Sequence, residues 1–229
     1  MATEVRFTRF KGADWFVEKN TFDTIIGGAG GIGSYLAYFL ARAGFRVHIF
    51  DMDKVEEVNM AGQMYRLSDI GKNKVDAVAE IIKDFCNEEI YTYEEYTEES
   101  EVHDFMFSGF DNMKARKIMF NNWANHVTEN NIENAIFIDG RLEAEKIQIF
   151  CVTKDKIGQY KEYLFDDSAV PDLPCTLKQT SHCASMIASH MVGFFTNYIS
   201  NMINGNSDRI IPFFTEYIIP LNFLENRDE

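Results

Sequence analysis

A glycine-rich stretch near the N-terminus of the 229-residue chain has the spacing of a phosphate-binding loop. Gly28, Gly30 and Gly33 form a G-x-G-x-x-G pattern between a short apolar run and a segment with helical periodicity. In such loops the glycines allow a tight turn and a close approach of backbone amides to a phosphate. The N-terminus of the following helix adds partial positive charge. The pattern predicts a nucleotide site, but it is compatible with NAD and with ATP alike.

Asp51 begins a second group of polar residues that could bind a nucleotide or a metal ion. It lies 23 residues after Gly28, at the end of a second apolar segment, where a carboxylate can accept hydrogen bonds from a ribose hydroxyl. Further polar residues follow in order: Asp53, Asn59, Gln63, Lys72, Lys74, Asp111, Asn112 and Arg116. A nicotinamide-dependent oxidoreductase would explain the glycines and Asp51, but it leaves the later residues without a role.

The order of these residues resembles the ThiF/MoeB and ubiquitin-activating-enzyme superfamily. The opening R-F-T-R-F at 6–10 is also similar to the family's R-Y-x-R-Q segment. The resemblance covers residues 20–145 well and the C-terminal third loosely. It rests on G-A-G-G-I-G at 28–33, D-M-D-K-V at 51–55, N-M-A-G-Q at 59–63, I-G-K-N-K at 70–74 and D-N-M-K-A-R at 111–116.

This resemblance implies an ATP-dependent adenylyltransferase. In the family, the C-terminal carboxylate of a carrier protein attacks the α-phosphate of ATP, which gives an acyl adenylate and pyrophosphate. By resemblance, Asp51 would bind the ribose, Lys74 would contact the triphosphate, and Asp111 would hold Mg²⁺, which prefers oxygen ligands. The nucleotide-binding set implied in this way comprises Gly28, Gly30, Gly31, Gly33, Asp51, Asp53, Asn59, Gln63, Lys74 and Asn112.

The family also suggests partners for the chain. The arginine that corresponds to Arg9 typically reaches into the site of a partner subunit, which implies a dimer and most simply a homodimer. The substrate would be a ubiquitin-like or sulphur-carrier protein with a free C-terminal carboxylate. A member that activates a small-molecule or tRNA-borne carboxylate is an alternative.

One position departs from the family pattern. The arginine of the family's N-x-x-R-Q segment is Gly62 here, so a bidentate contact to the triphosphate is lost. Arg66 could replace it if the segment is helical, because residues i and i+4 share a helix face. Otherwise the chain could be the catalytically weak or silent half of a heterodimer.

Several site residues also have simpler roles as alternatives. Lys72 could be an ordinary solvent-facing lysine, Arg116 could pair with an acidic neighbour, and Asp111 could cap the helix that follows it. The four cysteines contain no C-x-x-C pair, so no zinc is expected. Cys175, in the sequence L-P-C-T, resembles the thioester cysteine of ubiquitin-type activating enzymes, with a bystander role as the alternative. Cys183 lies on the apolar stripe of a helix and is expected in the core.

A strand–helix alternation must position these residues. We predict helices from the glycine turn to Ala43 and over roughly 72–86, 113–127 and 181–203. We predict strands at 23–27, 45–50, 90–96, 104–110, 135–142 and 146–152, and one or two more within 210–221. This order indicates a Rossmann-like α/β fold with a doubly wound, mostly parallel sheet that is extended by C-terminal antiparallel strands. We expect a single ThiF-like adenylation domain over 1–229. Its nucleotide-binding core would span 1–145, and its C-terminal extension, over 146–229, would carry a crossover loop and the long helix.

The composition narrows the classes of partner. The net charge of −14 opposes binding to nucleic acid and to anionic membranes, so neither partner is expected. No apolar run approaches the roughly 18 residues of a membrane span, and no secretory signal is recognisable, which favours the cytoplasm. The acidic segment 88–104 is expected to be a solvated face, with a docking surface for a basic partner as the alternative.

Overall fold

Eight strands form one sheet in the computed structural model of the chain, which describes residues 5–165 and 180–228. The sheet order is β3-β2-β1-β4-β5-β6-β7-β8, in which β1 to β5 pair in parallel and β6 to β8 pair antiparallel. This arrangement confirms the predicted α/β class. The strands are β1 (Asp23–Gly27), β2 (Arg46–Phe50), β3 (Tyr91–Tyr93), β4 (Phe105–Ser108), β5 (Ile136–Glu143), β6 (Lys146–Val152), β7 (Phe214–Ile218) and β8 (Phe223–Arg227).

Helices cover both faces of the sheet. They are α1 (Gly31–Ala43), α2 (Lys74–Cys86), α3 (Met113–Glu129), α4 (Ile157–Lys161) and α5 (Ser181–Asn204). Alternate residues of one strand face opposite sides, so Ile26 packs with α1, α2 and α5, whereas Ile25 packs with α3 and α4. Because both faces are covered, the central parallel strands are apolar along most of their length.

The glycine loop lies where the strand order reverses. Strand β1 has β2 on one side and β4 on the other, and ligands of doubly wound sheets bind in the crevice at this point. The backbone is tightly packed there, since the Gly109 amide donates to the Gly27 carbonyl over 2.8 Å. A Cβ on Gly33 would lie 1.7 Å from the Gly28 carbonyl oxygen, and Gly28 has a φ of +89°. The first and last glycines of the pattern are therefore required by the fold itself.

The largest differences from the predicted boundaries are in the third strand and near the C-terminus. The strand predicted at 90–96 is confined to Tyr91–Tyr93, and the chain beyond it is irregular as far as β4. Only one strand lies within 210–221, because Pro220 falls in a 3₁₀ turn that ends β7. The chain reverses at Asn222, whose φ is +47°, and the last strand follows at 223–227. In the described segments, no helix is both long and apolar enough to cross a membrane.

The N-terminal segment packs at the end of the molecule opposite the glycine loop. Phe7 and Phe16 lie against Gly44, which ends α1, and Arg6 donates to the Cys86 carbonyl at the end of α2. Arg9 is exposed in the 3₁₀ turn Thr8–Phe10. Because α1 has 13 residues, about 20 Å of helix separate this end from the loop. Arg9 therefore lies away from the glycine loop of its own chain.

Candidate functional site

Hydrogen bonds from two neighbouring segments fix the glycine loop. The Gly28 amide donates to the Phe50 carbonyl at the end of β2 over 2.8 Å, and the Ala29 amide donates to Asp51 Oδ2 over 2.7 Å. On the other side, the Tyr65 hydroxyl donates to the Ala29 carbonyl over 2.5 Å. Burial, and then the negative charge of Asp51, raise the pKa of Tyr65, so its hydroxyl stays protonated and remains a donor. The loop is thus held in one conformation before any ligand arrives.

Gly30 differs from the other glycines of the loop because no protein contact requires it. A Cβ at this position would meet no described atom within 4 Å, whereas a Cβ on Gly27 would meet the Phe110 ring at 2.3 Å. Gly30 is also the N-cap of α1, and no side chain bonds to the helix N-terminus there. The space over Gly30 and the uncapped amides therefore suit a phosphate group.

Asp51, Asp53 and Lys74 form a charged group beside the loop. Asp51 Oδ1 accepts the Asp53 amide over 2.8 Å, and Lys74 Nζ donates to Asp53 Oδ2 over 2.8 Å. An isolated bridge between Lys54 and Asn73 holds these segments together, and Lys74 is 7% exposed. Burial raises the pKa of Asp51, and the charge of Lys74 with the two backbone amides opposes that rise. The Asp51 carboxylate is therefore aimed at the loop, where a ribose would sit.

Adenosine binding is expected to weaken as the pH falls through the raised pKa of Asp51. Protonation would remove the negative charge that would accept a hydrogen bond from a ribose, and burial moves this loss above the ordinary aspartate pKa of about 3.9. Calorimetric titrations with adenosine between about pH 7.5 and about pH 5 measure the effect without phosphate titration. Asp51→Asn should bind weakly and without this pH dependence. An equal slope in both proteins would contradict the role of Asp51.

Asn59 and Gln63 lie on the turn that follows β2. The Asn59 side-chain oxygen accepts a hydrogen bond from the Glu56 backbone amide over 2.8 Å. The Gln63 backbone amide donates to the Asn59 backbone carbonyl over 2.9 Å. Gln63 Oε1 is buried and has no hydrogen-bond partner among the described residues. An unpartnered buried oxygen is costly, so a ligand donor at this position would be stabilising.

Arg66 does not meet the condition under which it could replace the family arginine. The chain between Met60 and Arg66 is a turn rather than a helix, and Gly62 is buried in it. Arg66 donates to Asp69 over 3.0 Å and to Asp84 over 2.6 Å. Lys72 joins the same surface network through Asp69 at 3.2 Å. Both basic side chains are therefore engaged by carboxylates, and Lys72 fits the solvent-facing alternative.

Asp111 and Asn112 follow β4 and differ in what their side chains contact. Asn112 caps α3, because its side-chain oxygen accepts the Ala115 amide over 2.8 Å. Asp111 is exposed and accepts only a 3.3 Å contact from the Asn112 amide group in the described part of the chain. The capping alternative thus falls to Asn112. The Asp111 carboxylate lies beside the crevice with its oxygens accessible to a metal ion.

A buried ion network supports the turn that carries Asp111. Arg116 is 5% exposed, pairs with Asp139 and donates to the Phe110 carbonyl. Asp139 is fully buried, and its Oδ2 accepts Arg141 Nε and the Tyr160 hydroxyl, each over 2.8 Å. Arg116 therefore positions the turn instead of facing a ligand. Asp139 was not predicted as a functional residue, although an acidic residue directly after the apolar residues 136–138 of β5 is a usable signal.

The described cysteines are unsuited to nucleophilic chemistry. Cys86, Cys151 and Cys183 are buried, and burial raises the pKa of Cys86 and of Cys151. Cys183, in the first turn of α5, is fully buried in the core, as expected. Cys175 lies outside the described residues, so its thioester role stays a prediction.

Solved structures of other proteins share this fold. Superposition on E. coli MccB with ATP gives a TM-score of 0.65 at 14% identity, covering 91% of this chain and 64% of that chain. E. coli MccB with MccA-N7isoASN gives a TM-score of 0.68 at 14% identity, covering 98% of this chain and 72% of that chain. PaaA gives a TM-score of 0.65 at 18% identity, covering 91% of this chain and 73% of that chain. At these identities the likeness concerns the fold.

Sequence comparisons extend the relationship. The NEDD8-activating enzyme E1 catalytic subunit of Dictyostelium discoideum is 36% identical over 66 residues, which are 28% of this chain and 15% of that protein. The ubiquitin-like modifier-activating enzyme 5 of Drosophila persimilis is 30% identical over 129 residues, which are 56% of this chain and 29% of that protein. The chain thus matches less than a third of either relative. The sequence model of the ThiF family, however, matches residues 6–225. The chain belongs to the ThiF family.

Proposed function

We propose that this chain uses ATP to adenylate the C-terminal carboxylate of a ubiquitin-like protein, a sulphur-carrier protein or a peptide. The observation that carries the proposal is the unfilled space over Gly30, with Asp51 and Lys74 on one side and Asp111 on the other. Support comes from E. coli MccB, which shares the fold and was solved with ATP and with MccA. The curated relatives are activating enzymes for ubiquitin-like modifiers.

The reaction joins two anions, so the site has to position them and balance their charge. A carboxylate oxygen attacks the α-phosphorus, the bond from that phosphorus to the bridging oxygen breaks, and pyrophosphate leaves with the electron pair. Asp51 orients the ribose, the amides at Gly30 and the α1 N-terminus face the phosphates, and Lys74 adds positive charge. A Mg²⁺ held by Asp111 would neutralise charge on the leaving pyrophosphate.

A cytoplasmic homodimer is part of the proposal. Arg9 lies at the opposite end of α1 from its own glycine loop, so it would serve the site of a second copy. Exposed apolar side chains at Met52, Val58 and Leu67 lie on the segment that follows β2 and would be covered by such a copy. Because Gly62 removes one cation from the site, an arginine supplied by a partner would matter more here than in relatives with the full motif.

A silent partner subunit is the second candidate function. It is favoured by Gly62 together with the carboxylates that engage Arg66, since both leave the triphosphate with less positive charge. Such a chain would bind ATP weakly and support catalysis in a different subunit. A nicotinamide-dependent oxidoreductase would not explain the unpartnered Gln63 oxygen or the Lys74–Asp53 pair.

Gly30→Ala is expected to weaken ATP binding at least about tenfold, or about 1.4 kcal/mol, and to lower the stability of the fold by no more than about 1 kcal/mol, because alanine is a poorer N-cap residue than glycine. The added methyl group enters the space assigned to a phosphate and touches no described protein atom. Calorimetry with ATP and with NAD measures both affinities. Gly158→Ala, which also meets no described atom within 4 Å, is the matched control.

Three results separate the candidates. Tight ATP binding that Gly30→Ala weakens, followed by carrier-dependent exchange of pyrophosphate into ATP, supports the adenylyltransferase. ATP binding without exchange supports the silent subunit. NAD binding without ATP binding, or an unchanged ATP affinity in Gly30→Ala, contradicts the proposed site.

A further inference from the structure

A cluster of two histidines and one glutamate lies apart from the glycine loop, on the face of the sheet that packs against α3. His48 is in the middle of β2, and Glu101 and His103 are in the segment that leads into β4. One ligand atom from each of the three side chains lies within 4.8 Å of the other two. His48 Nδ1 is 2.7 Å from Glu101 Oε1, and His103 Nε2 is 3.6 Å from Glu101 Oε2.

The His48 ring is held in a fixed orientation. It is 7% exposed and stacks on Tyr91 with ring centroids 4.6 Å apart and planes at 21°. Its Nε2 is 3.4 Å from Asp23 Oδ1, and Arg46 binds the same carboxylate over 2.9 Å. A carboxylate on one ring nitrogen commonly sets the tautomer of a metal-binding histidine. In the tautomer that a metal-binding histidine needs here, the Nε2 proton points to Asp23 and the Nδ1 lone pair points to Glu101.

That tautomer brings two hydrogen-bond acceptors together. His48 Nδ1 and Glu101 Oε1 are 2.7 Å apart, and the Tyr93 hydroxyl, 3.2 Å from Nδ1, has one proton to donate. A cation between these two acceptors would satisfy both of them, and either a proton or a metal ion could be that cation. A proton would need only these two groups. His103 adds a third ligand atom to the cluster, which favours a metal ion over a proton.

We propose that His48 Nδ1, Glu101 and His103 bind a divalent transition metal of the zinc class, with a remaining position open to solvent. Nitrogen and carboxylate ligands about 2.1 Å from a tetrahedral ion lie about 3.4 Å apart, and the observed separations of 2.7 Å and 3.6 Å lie on either side of that distance. The ion would tie β2 to the chain that enters β4. It is independent of the proposed adenylation, because no ligand belongs to the nucleotide site.

Zinc binding to the tag-free full-length chain tests this site. After removal of metals with a chelator, calorimetry should find one Zn²⁺ per chain. Glu101→Gln and His103→Ala should each lower the affinity at least about tenfold. Both side chains are about one-third exposed, so the fold should tolerate their replacement. The matched control is His126→Ala, since His126 Nε2 is 3.2 Å from Asp104 at a similar exposure, but the cluster does not include it.

Two further readouts distinguish binding at this site from adventitious binding. Co²⁺ should give a visible absorption band with the wild type and with His126→Ala, and the two ligand variants should lose it. Zn²⁺ should raise the melting temperature of the wild type and of His126→Ala, and not that of Glu101→Gln or His103→Ala. Equal zinc affinity in all four proteins would overturn the proposal. So would a wild type that binds no zinc.

Discussion

Asp111→Ala is expected to reduce carrier-dependent ATP–pyrophosphate exchange by on the order of 100- to 1000-fold. Asp111 presents its carboxylate at the carboxyl end of β4, where the proposed Mg²⁺ would stabilise the charge that develops on pyrophosphate. Its side chain is exposed, and Asn112 is the residue that caps α3. The loss should therefore appear in exchange and not in the melting temperature.

A second exposed aspartate provides the control for that variant. Asp208 accepts the Asn206 side chain over 2.8 Å in the turn after α5, and we expect Asp208→Ala to exchange like the wild type. Raising the Mg²⁺ concentration should restore part of the Asp111→Ala activity if metal affinity is what the variant loses. Exchange at the wild-type rate in Asp111→Ala would contradict the metal role.

Asp139→Asn is expected to lower the free energy of unfolding by about 3–5 kcal/mol. The substitution keeps the shape of the side chain but removes the charge that Arg116 and Arg141 share in the interior. The guanidinium groups of the buried Arg116 and the partly buried Arg141 would then lose the charge of the carboxylate that they share, which costs more than the hydrogen bonds alone. Urea unfolding followed by circular dichroism measures the change.

An exposed ion pair serves as the reference for the buried network. Glu133 pairs with Lys154 at the surface, and Glu133→Gln should change stability by less than about 0.5 kcal/mol. Because Arg116 also donates to the Phe110 carbonyl, Asp139→Asn should loosen the turn before Asp111. If both variants unfold like the wild type, the network is not a determinant of stability.

The sequence predicted the nucleotide-binding half well because its signals are local. Apolar runs such as Ile25–Ile26 and Phe105–Phe107 mark buried parallel strands, and a glycine turn followed by helical periodicity marks the β1–α1 unit. The ThiF-family match confirms the family inferred from the ordered motifs. Strand β6 was predicted with its observed bounds, since its alternation matches a sheet that buries every second residue near its start.

Features that depend on tertiary contacts were not predictable in this way. Tyr65 reaches the loop from 36 residues away, and Asp139 meets Arg116 only after β5 and α3 have packed. Arg66 was expected to depend on a helix, but the acidic face of α2 provides Glu80 and Asp84 as partners. His48 and Glu101 are 53 residues apart, and no motif spacing links them.

The charge of the site follows from the same tertiary contacts. Among the described residues, Lys74 is the basic side chain that the structure places beside Asp51 and Asp53. Gly62 provides no charge, and Arg66 and Lys72 are engaged at the surface. We therefore expect the site to depend on Lys74 and on an arginine from a second copy more strongly than sites with the full motif.

The most direct measurement of the central claim is ATP–pyrophosphate exchange with ubiquitin-like proteins and peptides ending in Gly-Gly, each prepared as the free acid and as the C-terminal amide. Adenylation requires a carboxylate oxygen as the attacking group. Exchange should therefore occur with at least one free acid and with no amide. Equal exchange with an acid and its amide, or ATP binding without exchange for every acid, would contradict carboxylate activation by this chain.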